Sequence, residues 1–296
     1  MPTARVNGID VCFETLGDDG DPTLLLVNGL GVQMIGYDTE LCESLVALGL
    51  RVVRFDNRDV GLSTHFHEAA EPDLATAFLA ALGGSPVAST YTLSDMAADA
   101  VGVLDHLGVD AAHLAGASMG AMVAQTVAIE HPQRVLSLTS IMSNTGEPGH
   151  GMPNPDLLVE VGPLLAAPAE EREARIEASL AISRAIGAGD GWDEDRARAR
   201  ATIQVDRCHD PAGVRRQLLA IFASGSRADG LAELSVPTTV LHGDRDRLID
   251  ISGGRRTAEL VPDAEFHRIE GMGHDMAPTY WPRIVDAISA AIERAE

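Results

Sequence analysis

The chain contains no lysine: all 22 of its basic residues are arginine, against 44 acidic ones. The arginine-only usage reads as coding composition and carries no mechanism. The imbalance does matter, because it leaves a formal net charge of −22. Such an excess repels nucleic acid and anionic membrane, since phosphate binding needs a basic stripe. It favours a neutral small-molecule partner over a polyanion. Cysteine is scarce too. Cys12, Cys42 and Cys208 are scattered and odd in number, so no disulfide framework or metal spacing is present and a reducing compartment is expected. No apolar run approaches the length of a membrane span, and Met1–Asp10 lacks the basic-then-apolar order of a signal peptide. A cytoplasmic location is the resulting expectation. Aromatic residues make up only 4% of the chain, so the core must rest on Ala, Val, Leu and Ile. With 296 residues, 45% of them hydrophobic, the chain can bury a full core as one large domain or one domain with an insertion.

What is present is an alternation of short apolar runs with helical stretches. Arg5–Leu16 reads as a hairpin turning at Asn7-Gly8. Thr23–Val27 is a continuous apolar strand that stops at Asn28-Gly29. A helix over Asp38–Leu48 leads to a strand at Arg51–Phe55. Ser94–Leu107 reads as a helix capped by Ser94, with apolar residues recurring at Met96, Ala97, Ala100, Val103, Leu104 and Leu107. Ala112–Ala117 is a strand, Met119–Glu130 a helix ended by His131-Pro132, and Val135–Ile141 the next strand. Thr239–His242 and Glu265–Ile269 are late strands with a helix between them near Gly254–Leu260, and Trp281–Arg294 is the final helix. The alternation predicts an α/β fold, a mostly parallel sheet with helices on both faces. Residues 145–234 break it: a Gly/Pro-rich opening precedes helical segments near 156–165, 170–186, 193–207 and 212–223. This block reads as a helical cap inserted after the sixth strand, over the strand ends where ligands bind in such sheets. Residues 1–144 and 235–296 then form the core. A helical buttress without a lid role is the plainer alternative.

The chemical signal is Gly116-Ala117-Ser118-Met119-Gly120, a Gly-x-Ser-x-Gly run between a predicted strand and a predicted helix. The glycines permit the tight turn that presents a serine hydroxyl above a sheet. A free hydroxyl is a poor nucleophile, so a base must follow. His267 falls inside a strand, where a packed or edge role is expected. His274 lies in the glycine-rich loop Gly271–Asp275 past a strand end and can swing over the sheet. The acid that orients the base belongs after the Thr239–His242 strand, where Asp244 and Asp246 compete. Asp246 lies further out and reaches back more easily; Asp244 suits bracing the turn. Glu147, past the strand ending near Ile141, is the fallback. Oxyanion donors are expected from the backbone N–H of Met119 and from the loop Asn28–Gly31, with Leu30 the choice. Met34, Met119, Met122, Met142, Met272 and Met276 fall near these loops. Met34, Met142 and Met272 are the candidates for an adaptable substrate pocket, with ordinary core filling the equal alternative. His65-Phe66-His67 without further ligands reads as a solvated loop and not a metal site. Asp56–Ser63 reads as a charged turn held by its own hydrogen bonds, and 193–200 as a solvated helix face.

Taken together, the Asn-Gly-Leu-Gly loop, the run at 54–63, the elbow at 116–120, His242–Asp246 and Gly271–His274 resemble the α/β-hydrolase superfamily. More narrowly they are similar to bacterial esterases of the aclacinomycin methylesterase type. The resemblance implies Ser118 as nucleophile, Asp246 as acid, His274 as base, and Leu30 and Met119 N–H as oxyanion donors. It implies neither cofactor nor metal, and a small-molecule ester as partner. Asn28 departs from the superfamily, where a histidine usually precedes the glycine. An aspartate at the elbow would mark an epoxide hydrolase or haloalkane dehalogenase, so Ser118 argues against both. Perhydrolase, thioesterase and C–C bond hydrolase chemistry share the triad, and a ligand-binding protein on the same scaffold is the reading from another class. No pattern specifies an oligomeric state.

Overall fold

A computed structural model describes residues 1–69, 73–166, 169–187 and 189–295, without the side chains of residues 165 and 166. The hairpin is strands β1 (Thr3–Val6) and β2 (Ile9–Leu16), and its turn residues Asn7 and Gly8 both have positive φ, 45° and 77°. That backbone suits the right-handed twist of paired strands. Strands β3 (Thr23–Val27), β4 (Arg51–Phe55), β5 (Ala112–Ala117), β6 (Val135–Ile141), β7 (Thr238–Gly243) and β8 (Glu265–Ile269) follow. They form one eight-stranded sheet in the order β1-β2-β4-β3-β5-β6-β7-β8. Strand β2 runs antiparallel to β1 and β4; every other pairing is parallel.

The core helices are α1 (Thr39–Val46), α2 (Leu74–Leu82), α3 (Leu93–His106) and α4 (Met119–Glu130). Alternate residues of a strand point to opposite faces, and β3 shows the result. Leu24 and Leu26 join Leu41 and Leu45 of α1, while Leu25 and Val27 join Met96 of α3 and Val123 of α4. Both layers are therefore packed, as expected of a doubly covered parallel sheet. Helix α3 is capped differently from the expectation. Thr92 and Asp95 form a capping box, and the Ser94 hydroxyl donates to Glu130 at 2.6 Å.

Among the described residues, five helices separate β6 from β7: α5 (Pro155–Ala166), α6 (Arg172–Gly187), α7 (Glu194–Arg207), α8 (Pro211–Ser224) and α9 (Ala228–Ala232). Helices α10 (Ser252–Leu260) and α11 (Trp281–Glu293) complete the chain, with Ile284 and Ile288 of α11 in the same core layer as α1. No helix among the described residues is long and apolar enough to cross a membrane.

Two expectations about charged segments are corrected at the seam between insertion and core. The Asp56–Ser63 turn has the internal bonds expected, Leu62 N–H to Asp56 at 2.9 Å and the Ser63 hydroxyl to the Asp56 carbonyl at 2.6 Å, but its acids also reach outside it. Arg207 of α7 lies 2.7 Å from Asp56, and Arg216 of α8 lies 2.8 Å from Asp59, both carboxylates being inaccessible to solvent. Residues 193–200 are not simply a solvated face either. Arg196 and Arg200, one helical turn apart, both pair with Asp38, and Arg196 also stacks over Trp281. The opposite face carries the exposed Arg198–Glu177 pair. The i,i+4 spacing sorts the arginines between core and water.

Candidate active site

Ser118 sits between β5 and α4 with φ 57° and ψ −122°, a backbone that a non-glycine residue adopts only when its surroundings impose it. Two glycines make room. A β-carbon on Gly116 would lie 2.3 Å from the Gly120 carbonyl oxygen, and one on Gly120 would lie 2.0 Å from that of Val27. The Ser118 N–H donates to the Ile141 carbonyl at 2.8 Å, which ties the turn to the end of β6. Gly29, past the end of β3, lies against the serine, since a β-carbon there would stand 3.3 Å from that of Ser118. The N–H groups of Leu30 and Met119 donate to no protein acceptor among the described residues.

The glycine-rich loop after β8 carries His274, which is buried with 8% exposure. Its Nδ1 lies 2.7 Å from Asp246 Oδ2. Its own backbone N–H donates to the Ile186 carbonyl of α6 at 2.9 Å, so the insertion touches this loop directly. Asp246 sits in the turn after β7, and its other oxygen accepts from the N–H groups of Leu248 and Ile249, each at 2.9 Å. Burial raises its proton affinity, but His274 and His242 outweigh that and hold the carboxyl well below the usual carboxylate range. Next to His274, burial pushes the Asp275 carboxyl up to about 6, against the pull of Arg200 and His274.

Asp244 and Asp246 go separate ways. Asp244 accepts from Gly271 N–H at 2.8 Å and pairs with Arg268 at 2.8 Å, so it ties its turn to β8 and the loop after it, where bonds to local backbone N–H groups were expected. Glu147 pairs with Arg256 at 3.0 Å and is not the partner of His274. His267 lies on the edge strand β8 and contacts Glu265 at 3.2 Å, in keeping with an edge role. Met142, with φ 41°, and Met272 both pack in the core layer with Ile141, Leu241 and Ile269. Met34 is fully buried, and its N–H donates to Asp56 at 2.7 Å.

His65 departs from the solvated-loop expectation. Its Nδ1 lies 2.7 Å from Asp210, and only His67 is exposed. The three side chains offer ligand atoms within 4.8 Å of one another, yet they are not arranged around a cation. The same Asp210 oxygen is 3.3 Å from the Arg216 guanidinium, and the two imidazoles stack with planes 6° apart. Parallel rings send their lone pairs side by side, whereas a metal needs them to converge.

Two polar residues were missed in the sequence. His242, at the end of β7, is wholly buried and directs Nε2 to the Ile249 carbonyl at 2.8 Å and to Asp246 at 3.3 Å. Its Nδ1 is buried without a partner, which places the proton on Nε2. Gln217, also wholly buried, bonds the loop that follows β3. The only sequence signals were a histidine four residues before an acid and a glutamine beside the apolar run Leu218–Phe222.

Comparison with known proteins adds to this geometry. Residues 22–278 match the family described as alpha/beta hydrolase fold. The rhodomycin D methylesterase DnrP of Streptomyces peucetius is 28% identical over 311 aligned positions, covering 98% of both chains. A 2-hydroxy-6-oxononadienedioate/2-hydroxy-6-oxononatrienedioate hydrolase of Cupriavidus pinatubonensis is 26% identical, covering 86% of this chain and 81% of its own. Among solved structures, the esterase RhEst1 from Rhodococcus sp. superposes with a TM-score of 0.76 at 20% identity, covering 99% and 98% of the two chains.

Proposed function

We propose, since this chain belongs to the alpha/beta hydrolase family, that it is a serine hydrolase that cleaves carboxylic esters of small to medium, mostly apolar acids through an acyl-enzyme. The observations that carry the reading are a strained, helix-opening Ser118 at the end of β5 and, on the loops after β7 and β8, a buried His274–Asp246 dyad with its members 2.7 Å apart. Ester cleavage by the full-length methylesterase relative supports the choice of substrate class.

In this reading Ser118 Oγ attacks the ester carbonyl while His274 Nε2 takes its proton. Asp246 fixes the imidazole so that Nδ1 carries a hydrogen and Nε2 is free to accept, and it stabilises the imidazolium that forms. Its own carboxyl stays ionised, in keeping with the downward shift of its proton affinity. The developing oxyanion is held by Leu30 and Met119 N–H, both without an acceptor among the described residues, and aimed donors of this kind are worth about 10²–10³ in turnover each. His274 then protonates the departing alcohol, and water repeats the cycle on the acyl-enzyme. The test is a fluorophosphonate label followed by p-nitrophenyl ester turnover, on wild type and Ser118→Ala. Labelling and turnover in the wild type alone are expected. A labelled wild type that turns over no ester would make the protein a binder, and turnover of a C–C substrate alone would move it to that class.

A further inference from the structure

The loop that carries the proposed oxyanion donor is shaped from outside the core. Gly31 has φ 68°, a left-handed turn residue with little intrinsic preference for one geometry. Its N–H donates to Gln217 Oε1 at 2.8 Å, and Gln217 Nε2 donates to the Arg58 carbonyl at 2.7 Å. Gln217 stands on α8, is wholly buried, and lies 186 residues from Gly31 along the chain. Val214, also on α8, closes the space beside the turn, since a β-carbon on Gly31 would lie 2.9 Å from its Cγ2. Further along the loop, Gln33 Nε2 donates to the carbonyls of Gln204 and Cys208 at 2.8 and 2.9 Å, and Gln33 Oε1 accepts from Arg207 at 2.8 Å. Residues 31–33 are thus gripped at both ends by α7 and α8, while Gly29 rests on Ser118.

We infer that Gln217 is a positioning residue for the oxyanion hole. By fixing Gly31 N–H it sets the direction of the neighbouring Leu30 N–H, so α7 and α8 complete the reaction apparatus instead of only covering it. This rests on the serine-hydrolase reading above. The physical argument is directional. Hydrogen bonds weaken steeply once the donor angle falls below about 120°, and a misplacement of about 1 Å in a reacting geometry costs roughly 10²-fold. Released from Gln217, the turn keeps the Val32 N–H to Gly29 carbonyl bond at 3.1 Å and the Val214 contact, but loses the one bond that fixes the amide next to Leu30.

The experiment compares wild type, Gln217→Met and Ser118→Ala on a p-nitrophenyl butyrate assay, with inhibition by a trifluoromethyl ketone that forms an oxyanion on the serine. The expected result for Gln217→Met is a fall in kcat of roughly 10- to 100-fold, KM within about twofold, and ketone affinity lost by the same factor as kcat/KM. A Gln217→Met protein with wild-type kcat and wild-type ketone affinity, beside an inactive Ser118→Ala, overturns the inference and spares the hydrolase reading. Ester turnover surviving in Ser118→Ala overturns both. Because Gln217→Met also strands the Arg58 carbonyl and can weaken folding, the wild type supplies a second measurement. The Gly31 amide should exchange with deuterium far more slowly than an unbonded loop amide. Exchange at the unbonded rate overturns the inference without any variant.

Discussion

Asp244 turns its carboxylate to Arg268 at 2.8 Å, away from the histidine that Asp246, two positions later, contacts at 2.7 Å. One loop therefore carries two acids with different partners: one ties the turn to Arg268, the other faces His274. Asp246→Asn is expected to lower kcat on the order of 10⁴-fold, the loss seen when the orienting acid of a triad becomes an amide. Asp244→Asn keeps a hydrogen-bond acceptor for Gly271 N–H and should lose far less. Both purified variants are assayed side by side; a larger loss in Asp244→Asn would reverse the assignment.

Ser118→Ala should leave the fold intact and lower turnover to the level that binding and oxyanion donors alone sustain, about 10³–10⁴ over water. The check is a circular dichroism melt together with a turnover assay. Wild-type hydrolysis in the variant would remove the nucleophile from the mechanism.

Substrate size is the third expectation. The net charge of −22 disfavours anionic ligands at encounter. The insertion packs onto the His274 loop through the Ile186 carbonyl. Across straight-chain p-nitrophenyl esters from two to sixteen carbons, kcat/KM should peak at short to medium chains and then drop, each clashing methylene costing ~1–3 kcal/mol. Highest activity at the longest chains, with activation at an oil–water interface, would make the protein a lipase instead.

The fourth concerns pH. The contact with Cys208, with help from the Gly61 carbonyl and Asp210 and against the effect of burial, pushes His65 up from 6.5 to about 9. A histidine whose folded value is raised contributes stability that is complete below the unfolded value and is lost as pH climbs through the folded one. The contribution should therefore be full below pH 6.5 and gone above pH 9. A series of Tm values from pH 6 to 10 should fall more steeply for wild type than for His65→Gln. Parallel curves would show that the His65–Asp210 pair has no such linkage.

The fifth isolates the seam. Arg216 and Asp59 are both solvent-inaccessible and 2.8 Å apart. Arg216→Met would leave the Asp59 charge with too few donors, and breaking such a buried pair from one side costs about 3–5 kcal/mol. Adding Asp59→Asn should recover part of the loss. Urea midpoints of the single and double variants measure this, and a double variant less stable than the single one would argue against the charge as the cause.

The strands and the elbow were legible because they depend on local order. The bounds of β3, β4, β5, β6, β8 and α4 coincide with the apolar runs and breakers read from the sequence, and Gly116 and Gly120 are where a side chain has no room. The choice of Asp246 over Asp244 was only half legible, since spacing says how far an acid reaches but not that Arg268 draws the other one away. Gln217, His242 and the seam arginines were not legible at all. Their partners lie far along the chain or in a tautomer choice, and a charged helix reads the same from its solvated face as from its buried one. Helix α2 was missed for a different reason: Thr76 is the one polar residue of its run, so no polar face marks a helical period.

The buried pairs Arg207–Asp56 and Arg216–Asp59 set how this protein can diverge. The insertion is not an exchangeable module. A graft that replaced α7 and α8 with a foreign segment would abandon two carboxylates inside the core and release the turn beside Ser118. Helices α5 and α6 carry no comparable debt to the core acids. The second half is thereby bound to the sheet by buried charge, and the first half is held to it more lightly, through the Ile186 carbonyl on the His274 loop.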